Sequence, residues 1–146
     1  SHYEDIIAVR VKKIFPDPVW KRRYKHVLDF ESMLAEEGTV IIKLFLNISK
    51  EEQKKRLESR LQDPDKLWKF CMDDLDDRNR GDECQTAYQD LNEKTSTPEA
   101  PWYIIPADRK WYRNLVVARL MVEKLRHLQL SLPTPNFDPA SIIIPD

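Results

Sequence analysis

Only two glycines occur in the 146 residues, Gly38 and Gly81. A glycine-rich loop that cradles phosphates needs several close backbone approaches, so none can be built from this chain. Cysteine is as scarce. Cys71 and Cys84 lack metal-ligand spacing, and so few thiols fit a reducing, cytoplasmic setting. There is no apolar run of membrane length and no signal-peptide pattern, so no membrane partner is expected. An excess of either charge is also lacking. The 24 Lys and Arg against 25 Asp and Glu leave a net charge of −1, which gives no bulk attraction for nucleic acid. Position 1 is Ser rather than an initiator Met, and the expectation is a fragment of a longer protein.

What is present is an α/β pattern organised around Thr39 to Leu61. Val40 to Leu46 is an apolar run rich in β-branched and aromatic residues, interrupted only by Lys43. Bounded by Gly38 and by Asn47 to Ser49, it reads as a buried, parallel strand. Ser49 with Glu52 three residues on forms a capping box for a helix that runs to Leu61. That helix has only Leu57 and Leu61 on its apolar stripe and carries Lys54, Lys55, Arg56 and Arg60 outward. Ligands of α/β folds bind at the carboxyl ends of strands, so arginines delivered there point to an anionic ligand.

The flanking segments follow the same logic. Residues 3–14 place Ile6, Ile7, Val11 and Ile14 on one helical face. Asp17 and Pro18 are the expected N-cap and first residue of a second helix, striped by Trp20, Tyr24, Val27, Leu28 and Leu34, with Gly38 as its C′ residue. Residues 63–72 break the pattern at Pro64. A helix is expected over 73–94, with Leu75, Ala87, Tyr88 and Leu91 inward; Gly81 inside it would cost about 1 kcal/mol relative to Ala. Trp102 to Pro106 reads as a second strand, and Asp108 as the cap of a helix to about Leu130. The body is therefore 1–130, followed by a tail, 131–146, with four prolines and at most Ile142 to Ile144 docked. Two parallel strands do not make a stable sheet. Partner strands are expected from elsewhere in a longer protein or from a partner chain, and a homo-oligomer is expected.

Several segments agree, in order and spacing, with a known family. They are SHYED at 1–5, ISKEEQKKRLESRLQDPDKLWKF at 48–70, DLDDRNRGDE at 74–83 and KTSTPEAPWYIIPADRKWYRN at 94–114. Together they resemble the C-terminal half of a polyphosphate kinase type 2 domain. The resemblance implies a P-loop kinase-like, thymidylate-kinase-like parallel sheet with helices on both faces, here without its N-terminal Walker A half. It implies transfer of a phosphoryl group between inorganic polyphosphate and AMP or ADP, with ATP among the nucleotides handled and Mg²⁺ as cofactor. SHYED resembles the residues just after the Walker B position. Leu67 stands where the family usually shows Arg, and Gly81 and Cys84 where it usually shows Trp and Tyr. The first departure removes a phosphate contact, and the other two weaken helix packing.

Phosphoryl transfer depends on placed cations more than on covalent chemistry by the protein. Arg56 and Arg60, four residues apart, share a helix face, and Lys66, Lys69 and Arg78 follow across the turn. They are candidates for a lid over about 50–80 that closes on a phosphate chain. The plainer reading is a solvated face, since Glu58, Asp63, Asp65, Asp73 and Asp74 interleave. The resemblance places the family's lid here and singles out Arg60 and Arg78 as catalytic. Glu4 and Asp5 are candidates to meet Mg²⁺ through water or the nucleotide's phosphates, or are ordinary acids at a helix N-terminus. Lys110 and Arg113 stand in the first turn of the last helix, where the dipole disfavours cations, and so hint at a ligand or an acidic partner. No metal ligand can be named. Two other readings stay open: an ATP-dependent nucleotide kinase fragment and a non-catalytic helical interaction module. Without a phosphate loop, residues 1–146 alone are expected neither to bind ATP nor to transfer phosphate.

Overall fold

The computed structural model describes residues 1–145. Six helices and two strands occur in the order α1 (Glu4–Val11), α2 (Asp17–Glu36), β1 (Lys43–Asn47), α3 (Lys50–Gln62), α4 (Asp73–Asn79), α5 (Gly81–Thr95), β2 (Trp102–Pro106) and α6 (Lys110–His127), with 3₁₀ turns at Pro64–Lys69 and Pro139–Ser141. β1 and β2 pair in parallel, with Lys43 opposite Trp102, Phe45 opposite Ile104 and Asn47 opposite Pro106. The α/β class and the parallel pairing expected from the two apolar runs are both present.

The core lies where α1, α2 and α5 meet. Ile6, Ile7, Val9 and Val11 of α1, Trp20, Tyr24 and Val27 of α2, and Ala87 and Leu91 of α5 form one buried cluster, against which Tyr88 and Trp102 pack. α1 is short and supplies four buried aliphatic residues. At roughly 25 cal/mol per Å² of apolar surface removed from water, such side chains carry most of the local stability. Gly38 adopts φ +85°, as its place just past α2 requires.

Several boundaries and faces differ from expectation. Val40 to Ile42 are outside the strand, which begins at Lys43, because Lys43 is the residue that the core pairs and fixes. Pro16 occupies the N-cap position of α2 and Asp17 is already helical, with no side-chain cap. The helix expected over 73–94 is two helices that change direction at Arg80. Gly81 is therefore the first residue of α5 and not a helix-interior glycine, so the interior penalty does not apply. Ile14 is 56% exposed because the chain turns at Lys13, which has φ +52°. Leu61, Leu75 and Ile142 to Ile144 are exposed as well. α6 ends at His127 and has no buried residue, although Leu115, Met121, Val122, Leu125 and Leu128 lie along it. Among the described residues its main neighbour is β2.

Candidate functional site

A cleft of about 470 Å³ opens at the carboxyl end of β1. Phe45, Leu46 and Asn47 form its floor, with Glu4, Ile7 and Ala8 of α1 on one side and Gly81, Cys84 and Tyr88 of α5 on another. Ser49, Lys50 and Gln53 at the start of α3, together with Asp77 and Arg78 of α4, close the rim. The placement follows from chain direction: β1 points at the cleft and α3 begins there, as in other α/β sites. Rings of Phe45 and Tyr88 meet with centroids 4.9 Å apart, so the floor is apolar and the rim charged. Burial pushes the Tyr88 hydroxyl and the Cys84 thiol up from their ordinary values. Cys84 lines the cleft beside Tyr88.

The start of α3 is held unusually well. The Ser49 hydroxyl accepts the Glu52 N–H at 3.1 Å, as the capping box requires. The reciprocal half of the box is missing. Glu52 instead accepts from Arg56 Nε at 2.8 Å, and the Ser49 N–H donates to the Asp108 carboxylate at 2.8 Å. Asp108 was expected to cap α6, but Arg109 stands at that position without a side-chain cap. Asp108 reaches across to α3, and the Ser49 N–H holds its carboxyl below the usual range. Arg56 completes the knot by donating to the carbonyls of Ala107 at 2.8 Å and Asp108 at 3.2 Å.

Of the nine candidate residues, the structure brings Glu4 and Arg78 into the cleft. Arg78 donates to the Lys50 carbonyl at 2.8 Å and to Gln53 Oε1 at 2.7 Å, both neutral acceptors, so its charge is not spent on a carboxylate. Arg56 stands behind the rim, engaged with the carbonyls of Ala107 and Asp108 just after β2. Arg60 ties α3 to the C-terminal end of the 63–72 turn, donating to Asp74 at 3.2 Å and to the Lys69 carbonyl at 3.4 Å. Lys66 pairs with Asp63, and Lys69 lies 5.0 Å over the Trp68 ring. Asp5 faces away from the cleft, toward Arg23 at 4.0 Å. Lys110 and Arg113 sit apart on α6, where Arg113 donates to Asn114.

Two rim cations escaped the sequence reading. Lys50, the first residue of α3, pairs with Asp82 at 2.8 Å; its position straight after a strand and cap was the available signal. Lys12 pairs with Asp77 at 3.3 Å, and that hydrogen bond raises its pKa. No local pattern shows that α1 ends beside α4. Among the described residues no group of three or more His, Cys, Asp or Glu side chains gathers as a metal site. No helix is long and apolar enough to cross a membrane.

Comparison with known proteins fits this geometry. Over 144 residues the chain is 51% identical to the AMP/ADP-polyphosphate phosphotransferase of Meiothermus ruber, covering 99% of this chain and 54% of that protein. It is 35% identical to the ADP-polyphosphate phosphotransferase of Rhodopseudomonas palustris, covering 91% of this chain and 50% of that protein. Its fold superposes on the crystal structure of Polyphosphate Kinase 2 from Arthrobacter aurescens TC1 with a TM-score of 0.89 and 47% identity, covering 95% of this chain and 49% of the other. The chain thus spans about half the length of these relatives. The family model for Polyphosphate kinase 2 (PPK2) matches residues 1–132, and the chain belongs to that family.

Proposed function

We propose that this chain is the nucleotide- and phosphate-facing half of a phosphotransferase that moves a phosphoryl group between inorganic polyphosphate and AMP or ADP. The observation that carries the reading is the cleft at the end of β1, with the uncompensated charge of Arg78 on its rim, in a chain of the polyphosphate kinase 2 family. Names of the relatives above supply the substrates. Arg78 stabilises negative charge as it builds on the transferring phosphoryl group, where a placed donor is most effective. Arg60 acts through the 63–72 turn: from α3 it holds the C-terminal end of that segment, at Lys69 and Asp74, so Lys66 and Lys69 move as one lid. Lys110 and Arg113 belong to a second, outer phosphate contact. In the full protein β1 and β2 are two strands of a wider P-loop kinase-like parallel sheet.

Magnesium is the expected cofactor of such chemistry. The described residues do not make a site for it on their own. Glu4 is the one expected carboxylate on the cleft, and Mg²⁺ at such sites is commonly carried by one or two carboxylates plus substrate phosphates. The test uses this chain joined behind the N-terminal half of the Meiothermus ruber relative, with ATP formation from ADP and polyphosphate followed in a coupled assay. Arg78→Ala and Arg60→Ala are each expected to lower turnover by about tenfold or more, and residues 1–146 alone to give none. Transfer from ATP without use of polyphosphate would favour an ATP-dependent kinase, and no transfer by the joined protein would leave a non-catalytic module.

A further inference from the structure

Lys43 is a charged residue in the middle of an apolar run, and its side chain is 3% exposed. It is paired with Glu31 of α2, 5% exposed, at 2.8 Å. The same ammonium donates to the Thr95 carbonyl, at the end of α5, at 2.5 Å. It lies 5.8 Å over the Tyr3 ring and 5.5 Å over the Trp102 ring. Those two rings meet with centroids 4.8 Å apart. A second tie binds the same corner: Trp102 Nε1 donates to the Thr95 hydroxyl at 2.8 Å, and that hydroxyl donates to the Leu91 carbonyl at 2.7 Å. One buried cation therefore joins β1, α2, the end of α5, the residue before α1 and the first residue of β2.

Such an arrangement is poorly explained by stability alone. Burying two charges costs desolvation that their attraction often only offsets, and apolar replacements of such pairs are commonly neutral or stabilising. Nor is the pair fully satisfied. Among the described residues Glu31 Oε1 has no hydrogen-bond partner, and neither has the Tyr3 hydroxyl; His2 Nε2 stands 3.6 Å from that oxygen. What the node does have is direction. Tyr3 immediately precedes α1, and its carbonyl accepts the Ile6 and Ile7 N–H groups at 3.0 and 3.1 Å. The residues that follow, Glu4, Ile7 and Ala8, line the cleft, as do the far ends of β1 and α5. The node sits at the base of three of the cleft's walls.

We propose that Lys43 is a positioning residue. Its buried ammonium fixes the first turn of α1 against the base of β1, and so sets where Glu4 and the α1 wall of the cleft stand, a role separable from stabilising the fold. The proposal rests on the reading of the cleft as the working site, but its test needs no turnover, so a failure of that reading would be seen separately. Amide hydrogen exchange at Ile6 and Ile7 is measured in the 146-residue protein, in Lys43→Met, and in Lys43→Met with Glu31→Leu. Lys43→Met leaves a buried carboxylate unpaired and should lower the melting temperature by roughly 10 °C. The double variant removes that carboxylate and should regain at least half of the loss. Exchange at Ile6 and Ile7 in the double variant should nevertheless stay about tenfold faster than in the wild type, while the amides around Val27 in α2 return to within about threefold. Wild-type exchange at Ile6 and Ile7 in the double variant would overturn the proposal. So would a double variant as unstable as Lys43→Met, since positioning and stability would then be one effect. In the joined enzyme described above, the double variant should show lower kcat with little change in KM.

Discussion

α1 and α6 make an instructive pair. α1 has eight residues and buries four of them. α6 has 18 residues, a longer apolar stripe, and buries none. The shorter helix is the better packed because α2 and α5 close over it, whereas among the described residues α6 packs mainly against β2. Apolar periodicity therefore states what a helix needs and says nothing about what its chain supplies. The same contrast separates the two ends of the molecule chemically. The cleft is walled by the packed half, and the stripe on α6, with Trp111 64% exposed at its start, stays open to solvent.

The largest expected effect sharpens the packed side. Leu91 of α5 is fully enclosed with Ile6 of α1. Leu91→Ala should cost about 2–5 kcal/mol, by lost transfer free energy and the cavity left behind. Urea denaturation followed by circular dichroism measures it. A cost below about 1 kcal/mol would mean that the α1–α2–α5 cluster is loosely packed and the contrast with α6 is empty.

A smaller effect comes from the charge that joins α1 to α5. Arg10 donates to Asp90 at 2.6 Å, and Lys94 pairs with the same carboxylate at 3.2 Å. The Arg10 hydrogen bond, then the Lys94 one, hold the Asp90 carboxyl below its usual range. A folded-state pKa that is depressed gives stability present above the unfolded value, about 3.9, and lost as the pH falls through the folded value. The melting temperature of Asp90→Asn should accordingly lie below that of the wild type at about pH 6, and the gap should close below about pH 3. A gap that is constant with pH would show that the contact acts by packing and not by charge.

These particulars show where the sequence could be read and where it could not. The presence of a strand before Ser49, though it starts at Lys43 and not Val40, the Ser49 cap, the place of Gly38 just past α2 and the polar face of α3 are local facts, written in neighbouring residues. The break at Arg80 was hidden because nothing between 73 and 94 forbids one helix. Arg80 donates to the Val11 carbonyl at 3.0 Å, a tie across 69 positions that turns the chain there. Asp108 read as a local cap because caps are the commonest work of an Asp before a helix, yet its partner, Ser49, is 59 positions away. At the site, the family resemblance is what pointed to Arg78 and Glu4, and both line the cleft. Lys50 had a local signal in its place straight after a strand and cap, whereas Lys12 reaches the rim through packing between helices that no spacing encodes.

Gly81 tests a smaller consequence of that break. It opens α5 with ordinary backbone geometry, and a Cβ added there would meet Lys50 Cε at 3.4 Å. That atom is near the end of a flexible side chain and can move. Gly81→Ala should therefore be tolerated and gain up to about 1 kcal/mol from reduced freedom of the unfolded chain. A loss of stability would mean that the Lys50–Asp82 pair cannot shift.

The smallest effect belongs to α6 and decides what its stripe is for in this chain. Leu125 is 51% exposed. If α6 has only β2 beside it in solution, Leu125→Ala removes little buried area, and alanine's helix propensity is at least as good as leucine's. The change should stay within about 0.5 kcal/mol, the range of surface substitutions, and the melting temperature should not depend on protein concentration. A cost above about 1 kcal/mol, with a melting temperature that rises with concentration, would show a second copy covering the stripe, because association stabilises the folded state by mass action. Leu128→Ala should then behave the same way, while Lys124→Ala, beside the Tyr103 ring at 5.8 Å, should not. In that case α6 would be as well packed as α1, with the neighbours supplied by another chain, and the contrast would describe the isolated polypeptide alone.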